Sequence, residues 1–245
     1  MKVAGLIGGM SWESTAQYYR IMNETVRQRL GGLHSARILL YSVDFQEIEQ
    51  LQQQGDWQKA AAILADAARR LQRGGADFLL ICTNTMHKVA AEVEQAVDLP
   101  LLHIADATGR RIQDSCLGKV GLLGTRYTME ESFYKGRLAS VFDLEVMLPG
   151  KRDRMIVNGI IFDELCQGNV LRESREEFSR IIAELVARGA EGIILGCTEI
   201  SLLVRAADSP VELFDTTAIH AVAAVDLALA EESQLPAGSR SASRE

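Results

Sequence analysis

The chain has 245 residues, of which 47% are hydrophobic and 24% charged, and its formal net charge at pH 7 is −7. This length suits one large domain or two domains of about 120 residues. The acidic balance argues against a nucleic-acid-binding protein, and no apolar run approaches the roughly 20 residues that span a bilayer.

The first half of the chain alternates short apolar runs with amphipathic stretches. Strands are predicted at residues 3–8, 36–42, 78–82 and 101–104. Helices are predicted at 11–30, 56–73 and 86–97. Ser11 is expected to cap the first helix, and a Gly-Gly pair at 74–75 ends the second.

The pattern then restarts, because residues 119–125 (Lys-Val-Gly-Leu-Leu-Gly-Thr) echo residues 3–9 (Val-Ala-Gly-Leu-Ile-Gly-Gly). Later strands are predicted near 143–147 and at 193–196, with helices from about residue 128 and at 153–167, 172–188 and 217–230.

This alternation predicts an α/β protein with two similar Rossmann-like domains, parallel sheets and a pseudo-twofold relation. The active site is expected in the cleft between the domains. Residues 1–103 and 212–231 are assigned to the first domain and 104–211 to the second. Residues 232–245 are polar and are expected to form a disordered tail.

A shorter internal repeat identifies the residues that are expected to do chemistry. Residues 75–84 align without a gap on residues 189–198, and the alignment places Thr83 opposite Cys197. Ligands of open α/β sheets bind at the carboxyl ends of the strands, where both residues are predicted to lie. A carbon held between them would be reached from both faces, which is the geometry needed to invert a stereocentre.

Each of these clusters also has a purely structural explanation. Residues 8–11 (Gly-Gly-Met-Ser) open a helix whose N–H groups favour an anion, but they would equally form a tight turn. Cys197 is a reactive residue if backbone N–H groups near it lower the pKa of its thiol. The structural alternative is an inert buried cysteine. Residues 83–85 (Thr-Asn-Thr) bind a ligand or form an ordinary turn.

The remaining cysteines and histidines are predicted to be structural. Cys82 comes directly before Thr83, and because side chains alternate along a strand it should point into the core. Cys116 and Cys166 lie outside the clusters, and local hydrogen bonds are expected to hold His34, His103 and His220.

Cofactors and export are not indicated by the sequence. The four cysteines and four histidines show no metal-ligand spacing, and no strand-end lysine suggests a pyridoxal cofactor. A predicted strand begins at residue 3, so no signal peptide is visible, and free thiols are typical of the cytoplasm. We therefore predict a cytoplasmic protein without metal or cofactor.

Together these clusters resemble the aspartate/glutamate racemase family of cofactor-independent amino-acid racemases, over about residues 1–230. The most specific matches are residues 8–15, 84–87 and 196–199. The resemblance implies two α/β domains, a homodimer, and two cysteines acting as acid and base on the α-carbon. The family normally has a cysteine where this chain has Thr83. We therefore predict an atypical catalytic pair of Thr83 and Cys197.

The resemblance also implies a set of contacts with a small amino-acid substrate. Asn84, Thr85 and Thr198 would hold the α-carboxylate, whose charge grows as the carbanion forms. Glu199 would accept from the α-ammonium or position a base. The full set of expected ligand contacts is Met10, Asn84, Thr85, Thr125, Thr128, Thr198 and Glu199.

The predicted activity is racemisation of aspartate or glutamate, with a preference for the L-enantiomer, because the late cysteine of the family serves that enantiomer. Two other functions fit the same residues. Decarboxylases and isomerases of this superfamily keep one cysteine at the late position, and a racemase that has lost a thiol would serve as an amino-acid-binding protein. Exchange of the α-proton in D2O distinguishes the three.

Overall fold

Two parallel β-sheets form the framework of the molecule. The computed structural model describes residues 1–230. The first sheet contains Ala4–Gly8 (β1), Ile38–Ser42 (β2) and Phe78–Ile81 (β3), in the order β2–β1–β3. The second contains Lys119–Gly124 (β4), Glu145–Met147 (β5), Gly192–Gly196 (β6) and Glu212–Asp215 (β7), in the order β5–β4–β6–β7.

Both sheets follow the same strand order, so the predicted fold class and internal repeat are confirmed. In each sheet the first strand pairs in parallel with the second and third. The first sheet continues as a single parallel bridge between Leu79 and Leu101, where the second sheet has a full strand, β7 beside β6. Consequently β3 and β6 are equivalent strands.

Helices cover both sheets. In the first half of the chain they are Trp12–Leu30 (α1), Phe45–Gln54 (α2), Trp57–Arg73 (α3), Ala90–Gln95 (α4) and Ile104–Asp114 (α5). In the second half they are Arg126–Glu130 (α6), Ser132–Phe142 (α7), Lys151–Gly159 (α8), Arg172–Ala187 (α9), Ile200–Leu203 (α10) and Thr216–Leu229 (α11). A π-helical turn, Ile160–Glu164, and 3-10 turns at Thr85–Val89, Leu165–Gln167 and Ala206–Asp208 complete the set.

Strand alternation decides what each face of the first sheet buries. Ile7 and Ile81 face one way and pack with residues of α3. Leu6, Leu80 and Cys82 face the other way and pack with α1 and α11. Cys82 is fully buried there, so its predicted orientation toward the core is confirmed.

Several predicted elements differ from the structure. Residues 101–104 form only the bridge at Leu101, because the His103 ring caps α5 by accepting from the backbone N–H of Ala105. The predicted helix at 153–167 ends early and continues as the π-helical and 3-10 turns. Helices α2 and α5 were not expected.

The predicted domain division stays a prediction and needs one correction. Residues 212–215 form β7, which pairs with β6 in the second sheet, whereas α11 packs with α1 against the first sheet. The predicted tail, 232–245, lies outside the described residues. Within residues 1–230, no helix combines the length and apolarity needed to cross a membrane.

Candidate active site

A small cavity lies where the carboxyl ends of β1, β3, β4 and β6 meet α2 and the π-helical turn. Its volume is about 30 Å³, which holds about two water molecules and is too small for an amino acid. Its walls are formed by Met10, Phe45, Gln52, Thr83, Asn84, Thr85, Thr125, Ile161, Phe162, Cys166, Gly196, Cys197, Thr198 and Glu199.

All predicted site residues except Thr128 line this cavity. Thr128 is fully buried behind the wall. Its Oγ1 lies 3.2 Å from Thr125 Oγ1 and 3.4 Å from Thr85 Oγ1, and those two hydroxyls are 3.0 Å apart. Thr128 therefore supports the two lining hydroxyls rather than contacting the cavity itself.

Thr83 and Cys197 occupy equivalent places in the two halves. Thr83 lies two residues beyond the end of β3 and is half-buried, and Cys197 directly follows β6 and is 9% exposed. Both line the cavity. The alignment of residues 75–84 with 189–198 thus corresponds to two side chains around one small space.

Glu199 is the centre of the hydrogen bonding around Cys197. Its Oε1 accepts a hydrogen bond from Ser11 Oγ at 2.6 Å. Its Oε2 accepts from Thr198 Oγ1 at 2.6 Å and from Cys197 Sγ at 2.9 Å. A carboxyl group that accepts from the reactive thiol is placed to receive the thiol proton.

The Cys197 thiol does not have the lowered pKa that its strand-end position suggested. Burial, followed by the neighbouring Glu199 carboxylate, raises the pKa of Cys197 well above its ordinary value. Without a ligand, Cys197 is therefore a thiol that donates to Glu199. The backbone hydrogen bond, which lowers the pKa of Cys197, is outweighed by the burial of the thiol and by the neighbouring Glu199 carboxylate.

The carboxylate of Glu199 lies at the start of α1. Ser11 caps the helix by accepting from the N–H of Ser14, and it donates its own proton to Glu199. The N–H of Gly9 donates to Thr15 Oγ1 at 2.8 Å. The predicted anion preference of residues 8–11 is therefore met by Glu199.

Beneath the cavity, His87 fixes the backbone of Thr83. Its Nε2 accepts from the N–H of Ile104 at 3.1 Å, so Nδ1 carries the proton and donates to the Thr83 carbonyl at 2.8 Å. Burial lowers the pKa of His87, which keeps the ring neutral. The ring of His87 also contacts those of His103 and His220.

A local hydrogen bond holds His103 as predicted, whereas the hydrogen-bond partners of His220 are far away in sequence. His103 accepts from Ala105, and His220 bonds to Tyr18 Oη and to the carbonyl of Leu102, both at 2.8 Å.

Four residues separate the cavity from a wider space of about 560 Å³, and they line both. They are Phe45, Gln52, Phe162 and Cys166. The first two lie on α2 and the others on the π-helical and 3-10 turns. Because the cavity itself is too small for an amino acid, we expect α2 or the turns to move when a ligand enters through this wall.

Cys166 corrects a sequence-based prediction, because it lines the site rather than serving only in structure. Burial raises the pKa of its thiol, and the carboxylates of Glu199 and Glu13 add to that effect. No local pattern marked this position, since only the path of the π-helical turn brings it here. For Gln52 a signal did exist, as Asp44 and Gly55 bound a short helix in the manner of an N-cap and a C-cap.

Within residues 1–230, no three His, Cys, Asp or Glu side chains are grouped as a metal site would require.

Comparison with known proteins gives matches over nearly the whole chain. A family model described as Asp/Glu/Hydantoin racemase matches residues 7–224. Among solved structures, a candidate Asp/Glu racemase from Yersinia pestis is 59% identical, with a TM-score of 0.89 over 94% of this chain and 100% of that one. An aspartate racemase homologue from Pyrococcus horikoshii OT3 is 36% identical, with a TM-score of 0.81 over 93% and 99% of the two chains. Bacillus subtilis RacX, a broad specificity amino-acid racemase, is 24% identical over 94% of this chain and 99% of its own.

Proposed function

Because this chain belongs to the Asp/Glu/Hydantoin racemase family, we propose that it racemises amino acids by a two-sided proton transfer that acts preferentially on the L-enantiomer. The resemblance drawn from the sequence and the isomerase class are confirmed by the family match. Cys197 removes the α-proton in this proposal, and the opposite face is protonated from the side of Thr83. Aspartate and glutamate are the proposed substrates.

One observation carries the proposal: Thr83 and Cys197 follow equivalent strands and line the same cavity. A stereocentre held between them has a proton-transfer group on each face. Fixing both groups and the carbon in one small space supplies the positioning that such a reaction needs.

Cys197 becomes a base only when a substrate arrives. The negative charge of Glu199 is one of the causes that raise the pKa of Cys197, and an α-ammonium group in the cavity offsets that charge. The thiol proton then passes along the existing hydrogen bond to Glu199, and the thiolate takes the α-proton. Glu199 afterwards releases its proton to water, and water restores the proton that the Thr83 side gives to the carbanion.

The hydroxyl groups in the wall stabilise the resulting carbanion. The hydroxyls of Thr85 and Thr125, supported by Thr128, lie at the cavity beyond the ends of the third and fourth strands. They donate to the α-carboxylate, whose oxygens become more negative as the α-carbon loses its proton. Thr198 donates to Glu199 in the closed site and supports the same region.

Thr83 makes the second half of the reaction slow. A threonine hydroxyl can donate or relay a proton, but its own pKa lies far above neutral pH, so it is a poor base. Two enantiomers have equal free energy in water, so kcat/KM must be equal in both directions. The preference for L-substrate therefore appears as exchange of its α-proton with solvent that is faster than inversion.

Charge in the cavity argues against a decarboxylase of malonate-type acids. Among the described residues that line the cavity, none is Lys or Arg, and Glu199 contributes a carboxylate. A dicarboxylate anion would meet repulsion there, whereas an α-ammonium group is attracted. A side-chain carboxylate of aspartate or glutamate would extend into the wider space, where Arg126 is the one cation among the described lining residues and Glu49 and Asp163 are also present.

Proton NMR of L-amino acids in D2O tests the proposal. We expect the α-proton signal of L-aspartate or L-glutamate to disappear faster than the D-enantiomer accumulates on a chiral column. Cys197→Ser should abolish both processes, whereas Cys116→Ser, at an exposed cysteine, should leave both unchanged. Exchange that survives Cys197→Ser contradicts the mechanism, and binding without any exchange identifies an amino-acid-binding protein.

The finer predictions of a homodimer and a cytoplasmic location stay predictions.

A further inference from the structure

Asn84 carries a buried acceptor with no partner in the protein. Its side chain lines the cavity and is 2% exposed. The amide nitrogen donates to Thr216 Oγ1 at 3.0 Å, but Oδ1 has no hydrogen-bond partner among the described residues. Buried carbonyl oxygens are almost always paired, so this atom calls for an explanation.

The direction of the amide follows from the hydrogen bonds of Thr216. Thr216 is fully buried, and its Oγ1 donates its single proton to the carbonyl of Leu195 at 2.9 Å. Toward Asn84 it can therefore only accept, which requires the amide nitrogen of Asn84 on that side. Because Thr216 is not part of the cavity wall, the remaining oxygen is the amide atom left to face the cavity.

We propose that Asn84 Oδ1 accepts a hydrogen bond from the α-ammonium group of the substrate, and that it selects amines over unsubstituted carboxylic acids. This inference rests on the proposed function and reverses the role that family resemblance gave to Asn84, which was to hold the α-carboxylate. A carboxylate offers no proton to an orphaned acceptor, whereas an ammonium group offers three.

The neighbouring groups agree with an ammonium ligand. Glu199 lies in the same wall and carries the cavity's only carboxylate among the described lining residues. The hydroxyls of Thr85 and Thr125 form a separate hydrogen-bonded pair, and the proton that is not used within this pair can be donated to the α-carboxylate. Asn84 would thus bind the α-ammonium group of an α-amino acid, and the threonine pair would bind its α-carboxylate.

Matched ligands with and without the amine test the inference. The probes are L-aspartate with succinate and L-alanine with propionate, and their dissociation constants are measured by calorimetry or by saturation-transfer NMR. In Asn84→Ala we expect the affinity for each amino acid to fall about tenfold or more, the range for losing a charged hydrogen bond. The affinity for the corresponding acid without the amine should change less than about twofold. Thr85→Val, which removes a carboxylate donor, should weaken both members of each pair to a similar extent.

Equal losses for both members of a pair in Asn84→Ala would overturn the inference, and so would no loss for either. If Asn84→Ala does not fold, Thr216→Val replaces it, because the amide is then free to rotate and the discrimination between amine and acid should shrink. Unchanged discrimination in Thr216→Val also counts against the inference. Wild-type exchange of α-protons in D2O tests the proposed function separately, so either idea can fail alone.

Discussion

At the scale of single residues, the Cys197–Glu199 contact controls both reactivity and catalysis. The Glu199 carboxylate raises the pKa of Cys197 and also accepts its proton. Glu199→Gln removes the charge, so the thiol should ionise at lower pH and react faster with iodoacetamide. Turnover should fall on the order of a hundredfold, because the proton acceptor is lost. Alkylation followed by mass spectrometry across pH 6 to 10, together with the D2O exchange assay, measures the two effects.

Buried Cys82 of the same protein is the control for a general loss of packing, which would expose every buried thiol. Its alkylation should stay slow in wild type and in Glu199→Gln alike. If the reactivity and the turnover of Cys197 fall together, Glu199 acts only by holding the thiol in place.

Thr83 determines how much exchange becomes inversion. Thr83→Val keeps the shape of the side chain but removes the hydroxyl, so exchange of L-substrate should persist while inversion falls at least tenfold. Thr83→Cys supplies a thiol on that face and should raise activity on D-substrate, with racemisation rising equally in both directions. Chiral chromatography of both enantiomers beside the NMR exchange rate separates these effects. Loss of L-exchange in Thr83→Val would mean that one proton relay serves both faces.

At the scale of elements, α2 forms one side of the wall that we expect to move when substrate enters. Tyr127 of α6 donates its hydroxyl proton to the carbonyl of Gln52 at 3.1 Å, and its ring packs edge-on against Trp57. Tyr127→Phe keeps the ring but removes the hydrogen bond between the two halves. We expect amides of α2 to exchange with D2O up to about tenfold faster, the effect of losing one hydrogen bond.

Hydrogen-exchange mass spectrometry measures this effect, and peptides from α9 provide the unaffected reference. Equal exchange of α2 in wild type and Tyr127→Phe would show that the contact does not hold the wall closed, and the π-helical turn would then be the moving part.

The elements predicted well from sequence are those with continuous apolar runs. Strands β1, β3, β4 and β6 were located to within one or two residues because both faces of each are buried. Helix α2 was missed because Gln and Glu dominate it, with Phe45, Ile48 and Leu51 as its apolar positions. Its burial depends on packing against α3 and the far half of the site, which no local pattern encodes.

In the active site, too, some residues could be predicted from sequence and others could not. Polar residues at strand ends, such as Thr83, Asn84 and Cys197, were predicted because topology gathers the carboxyl ends of parallel strands. Cys166 was not, since it arrives through an irregular turn after α8. The pKa of Cys197 was predicted in the wrong direction, because burial and Glu199 are both tertiary effects.

At the scale of the whole molecule, a buried histidine cluster joins elements that are far apart in sequence. His87 follows β3, His103 caps α5, and His220 lies on α11 and bonds to Tyr18 of α1. Burial lowers the pKa of His103 to about 4 and that of His220 to about 3, and it lowers the pKa of His87 as well. Folding therefore requires all three rings to be neutral.

Stability should consequently fall in acid. In the unfolded chain these histidines take up protons near their ordinary pKa of 6.5. In the folded protein they take up protons only when the pH falls to their lowered pKa values. The stabilising contribution is present above about pH 6.5 and is lost as pH falls toward about 4 and then 3. Each such histidine contributes a slope of about 1.4 kcal/mol per pH unit to the free energy of unfolding within that window.

His220→Gln isolates this effect from the carboxylates that also titrate in acid. Glutamine can still bond to Tyr18 and to the Leu102 carbonyl, but it carries no charge at any pH. The variant should have a lower free energy of unfolding than wild type at pH 7.5. The difference between the two free energies of unfolding should shrink by about 1.4 kcal/mol for each pH unit between pH 6 and pH 4. Urea unfolding at several pH values measures it. If the free energy of unfolding depends on pH in the same way in both proteins, His220 keeps an ordinary pKa. The hydrogen bonds to Tyr18 and Leu102 would then not hold a neutral ring in place.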